Sequence, residues 1–423
     1  MQDHPATAMP YQERVVDELL QRGHLAGAHD LPRLFQRHAA ALGVTDAVSY
    51  LVDLQQSTLV PFLPPSGPQH DERLTPLGVD STLAGRAFQQ SQPLVQPLDP
   101  GDSGDPRVRV WLPLLDGTER LGVLAVTAPD AALLRDDAAL TARLRLFAAL
   151  AAEMVMTKTL YGDTLVRLRR SSEMGLAAEM QWSLLPPLTF STSAVTVAGA
   201  LEPAYEVAGD SIDYAVDHGV TRFAVFDGMG HGLRSAQLAT LTVAAYRNGR
   251  RGNRSLTTTA VTMDEAVASA FDGDVFITGV VAELDTDSGT LTWVNAGHPS
   301  PLLLRDGRLV KDLHAEPMLP FGLNGALGAG EEVELGVEQL EPGDTVVLYT
   351  DGVVEARSPT GAFFGVDQLV DLVVRHLASG LAAPESMRRT SRALLEHQQA
   401  QLDDDATLML VQWRPTEPTL VLP

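Results

Sequence analysis

The chain has 423 residues, 45% of them hydrophobic and 20% charged, with 54 acidic against 31 basic side chains and a net charge of −23. This length exceeds what one hydrophobic core usually organises, and the composition is that of a globular chain rather than a disordered one. The negative balance argues against nucleic acid or an anionic membrane as main partner, and the absence of cysteine removes disulfides, thiolate zinc sites and cysteine nucleophiles.

In chain order, MQDHPATAMPYQERVVDELL lacks the basic start and apolar core of a signal peptide. Helical apolar spacing follows from Val15 to Leu42, broken around Gly23–Gly27 and at Pro32. Ala47–Leu63 reads as a strand pair, Asp80–Gln96 as a short helix ending in a turn, and Val108–Thr127 as two strands around Asp116-Gly117, a strong hairpin signal. From Asp136 the pattern changes, and Leu140, Leu144, Phe147, Leu150 and Met154 recur at helical spacing. Helix formers continue to about Leu185, where Pro186 and Pro187 stop them. A helix of ~45 residues would be roughly 70 Å long, which predicts a stalk or coiled coil and a homodimer through it, with Gly162 and Gly175 as possible interruptions. The stretch around LFAALAAEMVM carries Glu153 and is too short to span a bilayer, so the reading is a cytoplasmic protein.

Beyond the double proline, strands are expected over Val195–Glu202, Arg222–Phe226, Phe276–Leu284, Thr290–Asn295, Leu302–Arg305 and Thr345–Tyr349. Helical stretches fall near Leu233–Arg247 and Val366–Leu377, and the tail after Trp413 reads as disordered.

The informative feature of this half is a repeated arrangement of aspartates at strand ends. Asp210 follows Gly209 in AYEVAGDSIDYAV. Asp227 ends the apolar run of FAVFDGMGHG. Asp351 ends that of DTVVLYTDGVVEA, and Asp403, Asp404 and Asp405 precede the strand in LDDDATLMLVQW. Singly, Asp-Gly after a strand is an ordinary turn and an aspartate run an ordinary loop or cap. Four such sites in one cysteine-free domain suggest carboxylates converging on one sheet edge, where oxygen-only ligands suit Mg²⁺ or Mn²⁺. Glycine after the aspartate lets a backbone carbonyl approach as a further hard ligand.

These residues, together with VNAGHPSPLLL, LEPGDTVVLYTDGVVEA, FG (Phe364, Gly365), DDATLMLV and the lead-in EMQWSLLPP, resemble the PPM-type metal-dependent protein phosphatases of the SpoIIE/RsbU-like branch over about Met180–Trp413. The resemblance implies an α+β chain whose C-terminal α-β-β-α sandwich hydrolyses phosphoserine or phosphothreonine in a protein. It implies two divalent cations, Mn²⁺ or Mg²⁺, bridged by Asp227 and bound by the Gly228 carbonyl, with Asp210, Asp351 and Asp404 completing the shells and a metal-bridging hydroxide as nucleophile. Asp213, Asp405 and Gly352 are second-tier candidates. His231 lies two positions beyond Met229, where the related eukaryotic branch keeps its histidine, so packing competes with proton transfer as its role. His298, Asn295 and Gly297 are expected to order their own loop. AGDSID departs from the branch's Gly-Gly-Asp pattern at Ala208, Ser211 and Ile212 but keeps both aspartates.

PLGVDSTLAGRAFQQSQPLV with LPLLDGTERLGVLAV resembles a GAF domain, which implies a six-stranded α/β sensor for a small-molecule or protein signal. His29 and His38 could reach a haem there, although core or surface roles are the commoner reading. The expected organisation is a helical segment over 1–30, the GAF-like domain over 31–152, a helical linker over 153–187, the phosphatase domain over 188–414 and a tail over 415–423. The resemblance implies a phosphorylated anti-sigma-factor antagonist as substrate, with regulation from the N-terminal domain. The alternative is an interaction protein that uses the same fold with little turnover.

Overall fold

A computed structural model describes residues 11–65, 74–99, 107–130, 137–202, 205, 209–271, 275–323, 333–399 and 404–415. The chain divides into two compact units, one ending at Ser171 and the other running from Ser172 to Leu420.

The N-terminal unit opens with α1 (Tyr11–Leu25) and α2 (Leu31–Ala41). Pro32 stands in the first turn of α2 rather than breaking a helix, where its missing N–H costs nothing. A six-stranded antiparallel sheet follows, in the order β3-β2-β1-β6-β5-β4. Its strands are β1 (Thr45–Val52), β2 (Thr58–Phe62), β3 (Leu77–Gly78), β4 (Leu94–Leu98), β5 (Arg107–Asp116) and β6 (Glu119–Ala128). β5 and β6 form the expected hairpin, with Asp116 paired to Glu119 and Gly117 at φ +59° in the turn. On one face lies α3 (Leu83–Gln90), started by Thr82, whose side chain accepts from the Gly85 N–H. Tyr50, Phe88 and Trp111 are buried on that face.

α4 (Ala138–Thr159) covers the other face. Asp137 caps it by accepting from the Leu140 N–H at 2.8 Å, and Leu144, Phe147, Ala151, Ala152 and Val155 are buried. His38 packs on Phe147 at 4.6 Å between ring centroids, as a core histidine does, whereas His29 is exposed beside Asp30.

The long helix expected from about Asp136 to Leu185 is not continuous. α4 ends at Thr159, α5 spans only Thr164–Leu168, and α6 runs from Leu176 to Leu184. The apolar stripe read as a coiled-coil seam is consumed by the unit's own core. The breaks fall where Gly162 and Gly175 stand, and Gly175 flanks α6 in an extended conformation.

The C-terminal unit is a sandwich of two sheets. One has the order β15-β12-β11-β10-β9 and comprises β9 (Ser211–Asp217), β10 (Val220–Gly228), β11 (Ile277–Asp285), β12 (Thr290–Ala296) and β15 (Gly336–Gln339). The other has the order β14-β13-β16-β17-β8-β7. It contains β7 (Thr189–Ser191), β8 (Val195–Glu202), β13 (Leu302–Arg305), β14 (Arg308–Asp312), β16 (Thr345–Tyr349) and β17 (Ala406–Trp413). α7 (Leu233–Arg251) and α8 (Leu256–Ala270) lie on the first sheet. α10 (Gly365–Ala378) and α11 (Ala383–His397) lie on the second, and the short α9 (Asp351–Val354) follows β16.

Strand alternation builds the three layers of core. Phe223 and Val225 of β10 meet Val346, Leu348, Met409 and Val411 between the sheets, while Ala224 and Phe226 pack under α7 and α8. Val347, Tyr349, Leu408 and Leu410 pack under α10 and α11. The architecture is therefore α-β-β-α, as the resemblance implied. The tail expected over 415–423 lies outside the described residues from 416 onward, as do residues 1–10 of the expected N-terminal segment.

Candidate metal centre

The same alternation decides where each aspartate points. On β10, residues 223 and 225 face the gap between the sheets, so Asp227 faces it too, at the strand's end. On β9, Ile212 faces that gap, which sends Asp210 to the same side and Asp213 to the opposite one. The β9–β10 ladder ends at Ser211 opposite Phe226, so Asp210 sits one residue beyond it, next to Asp227. From the second sheet, β16 delivers Thr350 and then Asp351, and the lead-in to β17 delivers Asp404 and Asp405.

Hydrogen bonds join the two sheets at this end. Asp405 Oδ2 accepts from the backbone N–H groups of Gly209 at 2.9 Å and Asp210 at 3.3 Å. Thr350 Oγ1 donates to Asp210 Oδ2 at 2.7 Å, and itself accepts from the Thr407 N–H at 3.0 Å. The Gly228 N–H donates to Gly209 O at 3.2 Å, and Ser235 Oγ donates to Gly228 O at 3.1 Å.

Two glycines are required by close backbone approach. A Cβ on Gly209 would stand 2.4 Å from Gly228 O and 2.1 Å from Ser235 Oγ, and one on Gly352 would stand 1.9 Å from Asp405 O.

The aspartates share an electrostatic problem. Burial, followed by the charges of Asp351 and Asp404, pushes Asp227 up to about 7. Burial, then Asp227 and Asp405, holds Asp210 well above the ordinary carboxylate range. Asp351 is raised by burial and by Glu355, and its side chain shares a hydrogen bond with Asp227. Asp404 is raised by burial, with Asp351 adding to it. Crowded, desolvated carboxylates resist ionising together unless a cation neutralises them. Among the described residues no three acidic or imidazole side chains close into a finished ligand shell, but an all-oxygen set of this charge fits a hard divalent cation. The Gly228 carbonyl keeps a second lone pair for such an ion beside its bond from Ser235.

The structure separates the remaining candidates. Asp213 is fully buried and paired with Arg247 and Arg250, each at 2.7 Å, on the α7 side of the sheet, apart from the group facing the gap. Asp405 binds backbone N–H groups and so fixes the loop that carries Asp210. Gly352 is explained by its contact with the Asp405 backbone.

His231 is exposed in the loop before α7. His298 is buried, with Nδ1 2.9 Å from Thr278 Oγ1, and Thr278 is the β11 partner of Asp227. Asn295 closes the His298 loop, donating to His298 O and accepting from His298 N, both at 2.8 Å, while Gly297 holds φ +65°. Of the AGDSID departures, Ser211 and Ile212 are buried in β9, and Ala208 lies outside the described residues.

Thr350, Gly209, Ser235 and Gln181 were not assigned roles from the sequence. A small polar residue before Asp351 gives no local signal; its function exists only once β9 and β16 face each other.

Residues 217–414 match the family described as Stage II sporulation protein E (SpoIIE). The chain is 26% identical to phosphoserine phosphatase RsbU of Bacillus subtilis over 244 residues, which is 57% of this chain and 70% of RsbU. It is 26% identical to phosphoserine phosphatase RsbP of the same organism over 255 residues, 58% of this chain and 59%, less than two thirds, of RsbP. Among solved structures, the SiaA-PP2C domain of Pseudomonas aeruginosa is 21% identical, with a TM-score of 0.47, covering 56% of this chain and 94% of that one. Within the C-terminal unit, residues 217–414 thus resemble the SpoIIE family, and the chain is similar to the RsbU and RsbP phosphoserine phosphatases.

Proposed function

We propose that this chain is a divalent-cation-dependent protein serine/threonine phosphatase, a phosphoric monoester hydrolase whose substrate is a phosphorylated anti-sigma-factor antagonist. The observation that carries the reading is the convergence of Asp210 and Asp227 from one sheet with Asp351 and Asp404 from the other, all raised by burial and, except for Asp351, also by one another's charge. Asp210, Asp227, the Gly228 carbonyl, Asp351 and Asp404 would hold two cations, Mn²⁺ or Mg²⁺. Bound there, the ions supply an activated water and charge stabilisation for a phosphate ester. The chain's own contribution is to keep the carboxylates facing one gap, to fix Asp210 through Thr350 and Asp405, and to exclude side chains at Gly209 and Gly352.

The N-terminal unit is read as a GAF-like sensor of a small-molecule or protein signal, and its six-stranded sheet supports that reading. Cytoplasmic location and a homodimer complete the proposal; among the described residues no helix is long and apolar enough to cross a membrane.

The test is Mn²⁺-dependent release of phosphate from a phosphoserine protein. Asp227→Ala and Asp351→Ala should each lower kcat/KM by on the order of 100-fold or more, the scale of losing a charge-stabilising group. Wild-type protein that takes up Mn²⁺ and binds the phosphoprotein without turning it over would favour the interaction-protein alternative.

A further inference from the structure

Asp210 stands outside the β9–β10 ladder, whose last pair is Ser211 with Phe226. Its peptide groups are held by side chains instead. The N–H goes to Asp405, and the carbonyl accepts from Gln181 Nε2, which reaches it from α6. Gln181 is only 3% exposed, and its Oε1 has no partner among the described residues. The amide is therefore committed to this one donation, on a helix whose other buried position is Ala178.

Two more bonds fasten the same segment to β9. Arg247 Nη2 donates to Leu184 O at 2.5 Å while also binding Asp213, and Tyr214 Oη donates to Pro187 O at 2.8 Å. The segment Gln181–Pro187 is thus tied to Asp210 just before β9, to Tyr214 on it, and through Arg247 to Asp213, beside the candidate centre.

We propose that Gln181 is a positioning residue: by fixing the Asp210 carbonyl it sets the carboxylate's position and hence the affinity of the aspartate group for its divalent cation. The inference rests on the metal-dependent reading above. A burying amide serving only the packing of α6 would tolerate an apolar side chain of the same length. A positioning amide would not, because removal of a partner that orients a ligand costs roughly 10–100-fold in metal affinity.

The experiment measures Mn²⁺ binding to the full chain by calorimetry, with metal-free thermal stability and the Mn²⁺ dependence of phosphoprotein hydrolysis alongside. Gln181→Met keeps length and burial but removes the donor, and it should weaken Mn²⁺ binding about tenfold while kcat at saturating Mn²⁺ stays near wild type. Gln181→Glu, close in shape, places an acceptor against the carbonyl and should weaken binding further. Ser183→Ala, an exposed change on the same helix, should alter nothing. Wild-type Mn²⁺ affinity in both Gln181 variants, whatever their stability, overturns the proposal while leaving the metal reading intact. A wild-type chain that binds no Mn²⁺ overturns both, and an Asp210→Ala variant that loses Mn²⁺ while Gln181→Met keeps it overturns the role of Gln181 alone.

Discussion

His298 shows how a single residue can be conspicuous in sequence and quiet in chemistry. It sits in a motif of the resemblance, yet burial lowers it from 6.5 to about 4, and the nearby Tyr349 backbone opposes this only in part. It is therefore neutral at physiological pH. A base lowered on folding contributes stability above its unfolded value and loses it as pH falls, because the unfolded chain binds the proton first. Unfolding by urea should thus show stability falling between pH 6.5 and 4 by up to about 3 kcal/mol from this residue. His298→Phe should flatten that segment of the profile, since the Asn295 bonds run to the His298 backbone and survive the change. A second contrast separates two aspartates that look alike in sequence. Asp213→Ala strands Arg247 and Arg250 and should cost about 3 kcal/mol of stability with Mn²⁺ affinity retained. Asp210→Ala should lose Mn²⁺ binding instead. Calorimetry and thermal melts on the two variants check both halves.

At the scale of elements, strands were more legible than helices. Six predicted strands are present as β8, β10, β11, β12, β13 and β16, because their apolar runs end in clear turn signals. The helices expected near Leu233–Arg247 and Val366–Leu377 are present as α7 and α10, but α8 was not expected, although Leu256, Ala260, Met263 and Val267 recur at helical spacing behind the Ser255 cap. α11 carries no such signal, since its buried positions include Glu385, Ser386, Arg388 and Thr390, which no apolar periodicity can reveal. The expected stalk failed for the converse reason: its apolar stripe was real but belonged to a core helix. Glycine tests follow from geometry. Gly352→Ala drives a Cβ into the Asp405 carbonyl and should cost about 1–3 kcal/mol or more. Gly162→Ala meets nothing within 4 Å and should be neutral or stabilising by about 0.4–1 kcal/mol. Melting temperatures of the two variants should move in opposite directions or differ by several degrees.

For the whole molecule, two compact units with separate cores predict two unfolding transitions rather than one. A cation held only by the aspartate group should raise one of them alone, by about 2.7 kcal/mol of stability at a concentration of 100 times its dissociation constant. Scanning calorimetry with Mn²⁺ and with chelator checks this, and a shift of both transitions would contradict the assignment of the metal to the C-terminal unit.

The sequence by itself determined the chemistry available: aspartates at strand ends, no cysteine, glycines beside the carboxylates, and strands that alternate or run wholly apolar. Those are local properties, written in residue type and spacing. Only the tertiary structure decided which carboxylates act together. Asp210 and Asp213 are three residues apart, and the period-two alternation of a strand sends one into the gap between the sheets and the other to the arginines of α7. Only the packing of two sheets brings Thr350 and Asp405 to Asp210, across more than a hundred residues of chain. Convergence of that kind is a property of the sandwich, and no window of sequence contains it.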